Sequence, residues 1–328
     1  MEGRIKLTVY FNRKTIKTDY VTEWFSSLSY FHPEQMCAGT FTKGKFKKYN
    51  SHTFFKKIGE ELSSNVNANI SINNGENQIS LDTNSMYARI LSLSCNLSFD
   101  IFKENQSSII KLIDKYITEY HGIVAYACSL DDWFWQKNED IEMYKIYGKP
   151  LENVKIKKSE IFPDEDIVDI EYNPGHSHIV QGLWFGSCWM MWYGKEYFKY
   201  VPKQLLVNFN QCYENIQLEN ECVRITLYES PLDYEKDENR EIQMSFRKET
   251  GIDLLAHGLE KEVTILKDED VSIEIFSGSF PHGGIKLIKY YFGNSKNLTL
   301  KSLASEVRIV ELDMNGNELW SEVCRINK

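Results

Sequence analysis

Residues 176–202 read HSHIVQGLWFGSCWMMWYGKEYFKYVP and form the most aromatic and apolar stretch of the chain. Three of the seven tryptophans lie in it, namely Trp184, Trp189 and Trp192. Its apolar run is interrupted by Gly182 and Gly186 and is shorter than the roughly 20 residues that a membrane-spanning helix needs. We therefore predict a buried core element, either a strand or a short helix, in preference to a ligand-lined groove or a membrane segment.

The rest of the 328-residue chain has the composition of a soluble globular protein, with 42% hydrophobic and 26% charged residues. The formal net charge of −9 argues against a nucleic-acid partner, because phosphates attract a basic face. The first residues have no apolar core of the signal-peptide type. The seven cysteines are scattered and never form a Cys-x-x-Cys pair. This favours reduced thiols, and we expect a cytoplasmic protein.

The first 130 residues alternate between strand and helix patterns. Residues 4–11 alternate apolar and polar side chains as a half-buried strand does, and residues 105–120 carry an amphipathic helical stripe. Residues 123–128 then resemble a buried strand. The order strand, helix, strand, strand, helix, strand over residues 4–128 predicts a ferredoxin-like, split βαβ region within an α+β protein.

Two further regions complete the predicted α+β architecture. Residues 131–255 form an α+β region around the aromatic stretch, with a helix over 237–249 that Gly251 ends. Residues 256–328 form a small β-rich unit. Its predicted strands are residues 263–266, 271–276, 285–292, 306–312 and 318–326.

His176 and His178 are the first candidates for chemistry. Residues i and i+2 of a strand share a face, so both imidazoles can approach one metal ion. A catalytic zinc needs a third protein ligand, for which Asp169, Glu171 and the distant His282 are candidates, but none stands at a diagnostic spacing. Cys188 follows Gly186-Ser187 and is a candidate nucleophile for a thiol-dependent hydrolase. We predict no metal and no cofactor, and we keep a hydrolase using His176, His178 and Cys188 as the alternative.

Residues 160–171 carry six acidic side chains, which are either a solvated face or a docking surface for a basic protein partner. We predict binding through this set: Glu160, Asp164, Glu165, Asp166, Asp169 and Glu171.

The segments Trp184-Phe185-Gly186 and Trp192-Tyr193-Gly194-Lys195-Glu196-Tyr197-Phe198 resemble the aromatic core segments of uncharacterised bacterial cytosolic proteins of the toxin-immunity type. The resemblance covers about residues 120–250 and brings no catalytic motif with it. It implies a non-enzymatic α+β protein that binds and blocks a cognate toxin. This is the function we expect, and no functional residue is carried over from the resemblance.

Overall fold

The computed structural model describes residues 3–40, 46–63, 68–82, 90–152, 154–159, 162–180, 182–265, 306–312 and 318–325. The chain divides into two compact units, residues 1–255 and residues 256–328. Within the described ranges the second unit contains the end of one helix and an antiparallel hairpin of two strands.

The α-helices of the described residues are 5 to 20 residues long. They are α1 (Thr18–Ser27), α2 (Ser51–Ser63), α3 (Phe99–Thr118), α4 (Leu130–Trp135), α5 (Ile141–Ile146), α6 (Lys203–Val207), α7 (Asp237–Thr250) and α8 (Ile252–Ile265).

The strands of the described residues belong to one large sheet and three hairpins. They are β1 (Arg4–Asn12), β2 (Gln35–Thr40), β3 (Lys47–Lys48), β4 (Ala68–Asn73), β5 (Gln78–Asp82), β6 (Ile90–Ser98), β7 (Val124–Ser129), β8 (Ile156–Lys158), β9 (Asp166–Val168), β10 (Ser177–Val180), β11 (Leu183–Gly186), β12 (Met190–Tyr193), β13 (Glu214–Gln217), β14 (Val223–Thr226), β15 (Glu306–Leu312) and β16 (Glu318–Arg325).

The large sheet is antiparallel and has the strand order β13-β14-β12-β7-β1-β6-β5-β4-β2-β3. Its central strand β1 pairs with β6 on one side and with β7 on the other. Ile5, Leu7, Val9 and Phe11 of β1 are fully or almost fully buried on one face of the strand. Helix α3 contacts β1, β6, β7 and β12, so its apolar stripe has a continuous sheet surface to bury against.

The aromatic stretch contributes both a hairpin and a central strand. β10 and β11 pair with each other around Gly182, whose φ of 82° suits the tight turn. β12 enters the large sheet between β7 and β14. Trp184, Trp189 and Trp192 are each at most 2% exposed. The predicted core role of this stretch is confirmed. Residues Met190–Tyr193 are a strand rather than a helix, and a 3-10 helix follows at Lys195–Lys199.

The indole nitrogens of two of these tryptophans also hold the layers together. Trp189 Nε1 donates to the carbonyl oxygen of Tyr228 at 2.8 Å, and Trp192 Nε1 donates to Asp114 Oδ1 on α3 at 2.7 Å. The ring of Trp184 stacks on Tyr126 of β7 with 4.8 Å between ring centres. Each large side chain is therefore both buried and hydrogen-bonded or stacked, as buried aromatic residues require.

The predicted α+β class is confirmed. The ferredoxin-like arrangement of residues 4–128 stays a prediction. The strands of this region belong to a larger sheet of ten strands. Strands on both sides of residue 130 lie in this one sheet. The division into regions 1–130, 131–255 and 256–328 stays a prediction.

One strand prediction in the C-terminal region is wrong. Residues 263–265 belong to α8, whose apolar residues recur at helical rather than alternating spacing. The predicted strands over 306–312 and 318–326 correspond to β15 and β16. The predicted strands over 271–276 and 285–292 lie outside the described residues. Among the helices described, none is long and apolar enough to span a bilayer.

Replacing Trp184, Trp189 or Trp192 singly with alanine should lower the free energy of unfolding by about 3–5 kcal/mol, because each change removes a fully buried indole. Denaturant unfolding followed by fluorescence measures this. Tyr213, which is 62% exposed, gives the control variant Tyr213→Ala, for which we expect almost no change. Wild-type stability in all three tryptophan variants would contradict the core assignment.

Candidate functional site

The two histidines are positioned by a turn that is anchored to the residue after α4. In the turn, Asn173 donates through Nδ2 to the carbonyl oxygen of Gln136 at 3.2 Å, and the amide of Gly175 donates to Gln136 Oε1 at 2.7 Å. His176 follows this turn and His178 lies on β10. Their ring centres are 5.1 Å apart. The shared face expected from the i, i+2 spacing therefore brings the two imidazoles together.

Two further side chains reach the histidines from the junction of α7 and α8. Arg247 lies in the last turn of α7, and Asp253 lies in the first turn of α8. Gly251 stands between them with a left-handed φ of 63°, which ends α7 and turns the chain into α8. Both charges suit their positions, because a helix C-terminus favours a cation and an N-terminus favours an anion.

The guanidinium of Arg247 is the centre of the cluster. Its Nε donates to Asp253 Oδ2 at 3.0 Å, and Nη2 donates to Asp253 Oδ1, so the pair is bidentate. Nη1 donates to the carbonyl oxygen of His176 at 2.6 Å and to Ser187 Oγ at 3.2 Å. The Arg247 side chain is only 3% exposed, so these contacts replace its water.

The hydrogen bonds assign the tautomer of His176. Its Nδ1 lies 2.5 Å from the carbonyl oxygen of Asn173, which only accepts, so Nδ1 carries the proton. Nε2 is then an acceptor, and it accepts from Nη2 of Arg247. Burial lowers the pKa of His176 and, together with the charge of Arg247, outweighs the opposing effect of Asp253. His176 is therefore neutral, and neither of its ring nitrogens is available as a general base.

The carboxylate of Asp253 is shared by all three basic side chains. His178 Nε2 lies 3.3 Å from Asp253 Oδ1, and His176 Nε2 lies 3.5 Å from the same oxygen. Burial alone would raise the pKa of Asp253. Hydrogen bonds from neighbouring side chains and the charge of Arg247 outweigh burial and hold this pKa well below its usual range.

His176, His178 and Asp253 are also the residues that could hold a metal ion, since one ligand atom from each lies within 4.8 Å of the others. Two imidazoles and a carboxylate suit zinc or iron. However, Arg247 donates to the Nε2 of His176 and to both oxygens of Asp253, so the positions that face a metal are already taken by a fixed cation. The donor set therefore fits a metal poorly while Arg247 is in place.

The third ligands considered from the sequence lie elsewhere. Asp169 forms an ion pair with Lys157 at 3.1 Å, and Glu171 is an exposed residue of the short 3-10 helix Ile170–Tyr172. His282 lies outside the described residues. The residue that converges with the histidines is Asp253, 75 positions after His178 in the chain.

Cys188 does not have the environment of a nucleophile. It is buried, and its Sγ contacts the carbonyl oxygens of Ala127 and Met190 at 3.5 Å. Burial raises the pKa of the Cys188 thiol well above its ordinary value, so the thiolate that a nucleophile requires does not form near neutral pH. The neighbouring Ser187 donates to the carbonyl oxygen of Pro174 at 2.7 Å, which joins this loop to the histidine turn.

The acidic stretch is partly neutralised by its own hairpin. Asp166 pairs with Lys158 at 2.9 Å, as Asp169 does with Lys157. Asp164 and Glu165 are exposed at the turn between β8 and β9. Glu160 lies outside the described residues. Binding through the acidic stretch stays a prediction, and the exposed turn is the part of it with the least internal neutralisation.

Arg247 and Asp253 were missed by the sequence reasoning. They lie about 70 residues after the histidines in the chain, so no local motif joins the two pairs. The only local indication was an arginine and an aspartate on either side of the helix-ending Gly251, a pattern that predicts an ion pair across a helix junction.

Comparisons with known proteins give a likeness of fold. No protein-family model matches the chain, and no curated protein matches it significantly. Among solved structures, the Pseudomonas aeruginosa T6SS protein PA0821 is similar, with a TM-score of 0.50 and 10% sequence identity over 79% of this chain and 84% of that one. At this identity the likeness shows the fold alone.

The stability of the protein should fall as the pH drops below about 6.5, the ordinary pKa of histidine. The folded-state pKa of His176 is lowered, so the unfolded chain binds the proton more readily in the window below that value, and acid favours unfolding. The contribution of one such group is at most about 1.4 kcal/mol per pH unit. Denaturant unfolding between neutral pH and pH ~5 measures the slope.

The variant His176→Gln isolates this contribution, because glutamine keeps an acceptor for Arg247 but does not titrate. Its stability should change less with pH than that of the wild type. Identical pH slopes in the two proteins would show that His176 is not held neutral by the fold.

Protein purified without chelator or affinity tag should contain no stoichiometric zinc or iron, because Arg247 occupies the inner side of the candidate site. Elemental analysis decides this. One equivalent of metal that disappears on replacing both His176 and His178 with alanine would overturn this interpretation and favour the metal-dependent hydrolase.

Proposed function

We propose that this chain is a non-enzymatic, cytoplasmic binding protein of the toxin-immunity type, and that it binds a basic protein partner through the surface of residues 141–172. The observation that carries the proposal is the concentration of exposed apolar side chains on this segment. Ile146, Tyr147, Ile156, Phe162 and Tyr172 are 48–73% exposed within 27 residues of chain. Exposed apolar residues grouped in this way are typical of interaction sites.

The segment that carries these exposed residues also contributes to a buried core. Tyr144 and Val168 of this segment form a small core with Trp135, against which further partly buried apolar residues pack. Tyr144 donates through its hydroxyl to the carbonyl oxygen of Trp135 at 2.9 Å. Because this core is packed, the segment needs little ordering when a partner binds, which favours affinity.

The turn between β8 and β9 combines an aromatic residue with negative charge. The amide of Phe162 donates to Ser159 Oγ at 3.1 Å, and the amide of Glu165 donates to the carbonyl oxygen of Phe162 at 2.9 Å. The turn thus presents Phe162 beside the exposed Asp164 and Glu165. A basic partner would gain apolar contact from the first and electrostatic steering from the other two.

Two other observations support binding rather than catalysis. The cluster around Arg247 uses both ring nitrogens of His176 internally, so His176 offers no base, and Cys188 is a protonated buried thiol, so it offers no nucleophile. The fold is also that of a T6SS protein, which is compatible with the toxin-immunity type.

The test uses the protein encoded by the neighbouring reading frame as the partner, with affinity measured on purified full-length chains. Tyr147→Ala should weaken binding at least about tenfold, equivalent to 1.4 kcal/mol, as for an aromatic anchor in an interface. Tyr213→Ala is the matched control, since Tyr147 and Tyr213 are 61% and 62% exposed. The control should bind like the wild type.

Charge is tested by the double change Asp164→Asn with Glu165→Gln. It should slow association and reduce the dependence of the association rate on salt. Absence of binding to a basic neighbouring protein, or equal losses for Tyr147→Ala and Tyr213→Ala, would contradict the proposal.

A further inference from the structure

Two lysines approach the same indole ring beside the inner strand β1 of the large sheet. Lys6 on β1 has its Nζ 4.5 Å from the ring centre of Trp133 on α4. Lys137, two residues after α4, has its Nζ 4.8 Å from the same ring centre. All three side chains are half-buried, so this cluster is partly withdrawn from water and still reachable from it.

The two ammonium groups have no carboxylate beside them in the described part of the chain. Other lysines there do have one: Lys115 pairs with Glu23 at 2.7 Å, and Lys149 pairs with Asp131 at 3.4 Å. For Lys6 and Lys137, the ion pairs of the described residues include none. Two like charges therefore share one aromatic ring without a counter-charge.

The indole adds a third donor. Trp133 Nε1 is buried, and within the described ranges it donates to no protein acceptor. A buried donor without an acceptor is unfavourable, and so is a partly buried cation without a partner. The cluster thus gathers three hydrogen-bond donors, two of them charged, with no matching acceptor.

The electrostatics of the lysines agree with this geometry. Burial lowers the pKa of Lys6, and it lowers the pKa of Lys137 to about 8, with the charge of Lys6 acting in the same direction. Cation–π contact with the indole offsets part of the cost but supplies no negative charge.

We propose that Lys6, Lys137 and Trp133 form a binding site for a small anion of the phosphate or carboxylate type. A bound anion would accept hydrogen bonds from the ammonium groups and offset the repulsion between them. The site is separate from the 141–172 surface and does not depend on the proposed partner binding.

The experiment measures the labelling rate of individual lysines by an amine-reactive reagent, with mass spectrometry, on the full-length protein in chloride buffer. Inorganic phosphate is the probe, and acetate in a parallel series tests the carboxylate source. At a free phosphate concentration about ten times Kd, labelling of Lys137 should slow about tenfold, because only the unbound fraction reacts. Lys103, exposed on α3, should be labelled at an unchanged rate.

Two variants distinguish anion binding at this cluster from non-specific screening of the lysine charges by salt. Lys6→Met keeps an apolar stem over Trp133 and removes one charge, so protection of Lys137 by phosphate should be lost. Lys103→Met should leave the protection intact. The proposal is supported if phosphate, acetate or both protect Lys137 from labelling in the wild type and this protection disappears in Lys6→Met.

The proposal is overturned if neither anion protects Lys137. It is also overturned if protection persists unchanged in Lys6→Met, because the anion would then act without the cluster. A circular dichroism spectrum and melting curve for Lys6→Met, matching those of the wild type, show that any lost protection does not reflect unfolding.

Discussion

The buried guanidinium of Arg247 is the constraint on which the arrangement around the aromatic stretch depends. A charge that is 3% exposed must find acceptors inside the protein. Arg247 finds them in the carbonyl oxygen of His176, the hydroxyl of Ser187 and the carboxylate of Asp253, which come from three separate segments. Gly186 belongs to the same constraint, since a Cβ there would lie 3.0 Å from the His176 oxygen and 2.6 Å from the Cβ of Ser177.

Much of the fold could be predicted from local pattern. The alternation of residues 4–11, the helical stripe of residues 105–120 and the buried run of residues 123–128 each correspond to an observed element, β1, α3 and β7. Each of these segments is buried either on one face or throughout. The spacing of its apolar residues therefore indicates directly which residues are buried. The aromatic stretch was recognised as core for the same reason.

The candidate site could be predicted only in part. The spacing of His176 and His178 gave their shared face, but their partners depend on how α7 and α8 return to the hairpin of β10 and β11, which no local pattern encodes. A metal site was the natural interpretation of the two histidines, because metal-binding motifs do not include arginine, and Arg247 is the side chain that binds His176 here. At residues 263–265 an apolar run suited both strand and helix, and the continuation of α8 decided between them.

We interpret the cluster of two histidines, Asp253 and Arg247 as a structural element built around the Arg247–Asp253 ion pair, separate from the surfaces of the proposed function. A double-mutant cycle with Arg247→Met and Asp253→Asn tests this most directly, using unfolding in denaturant followed by tryptophan fluorescence. We expect each single change to be destabilising and the two residues to be coupled by about 0.5–3 kcal/mol. Single variants as stable as the wild type would contradict this interpretation. So would a double variant whose loss of stability equals the sum of the two single losses within about 0.5 kcal/mol.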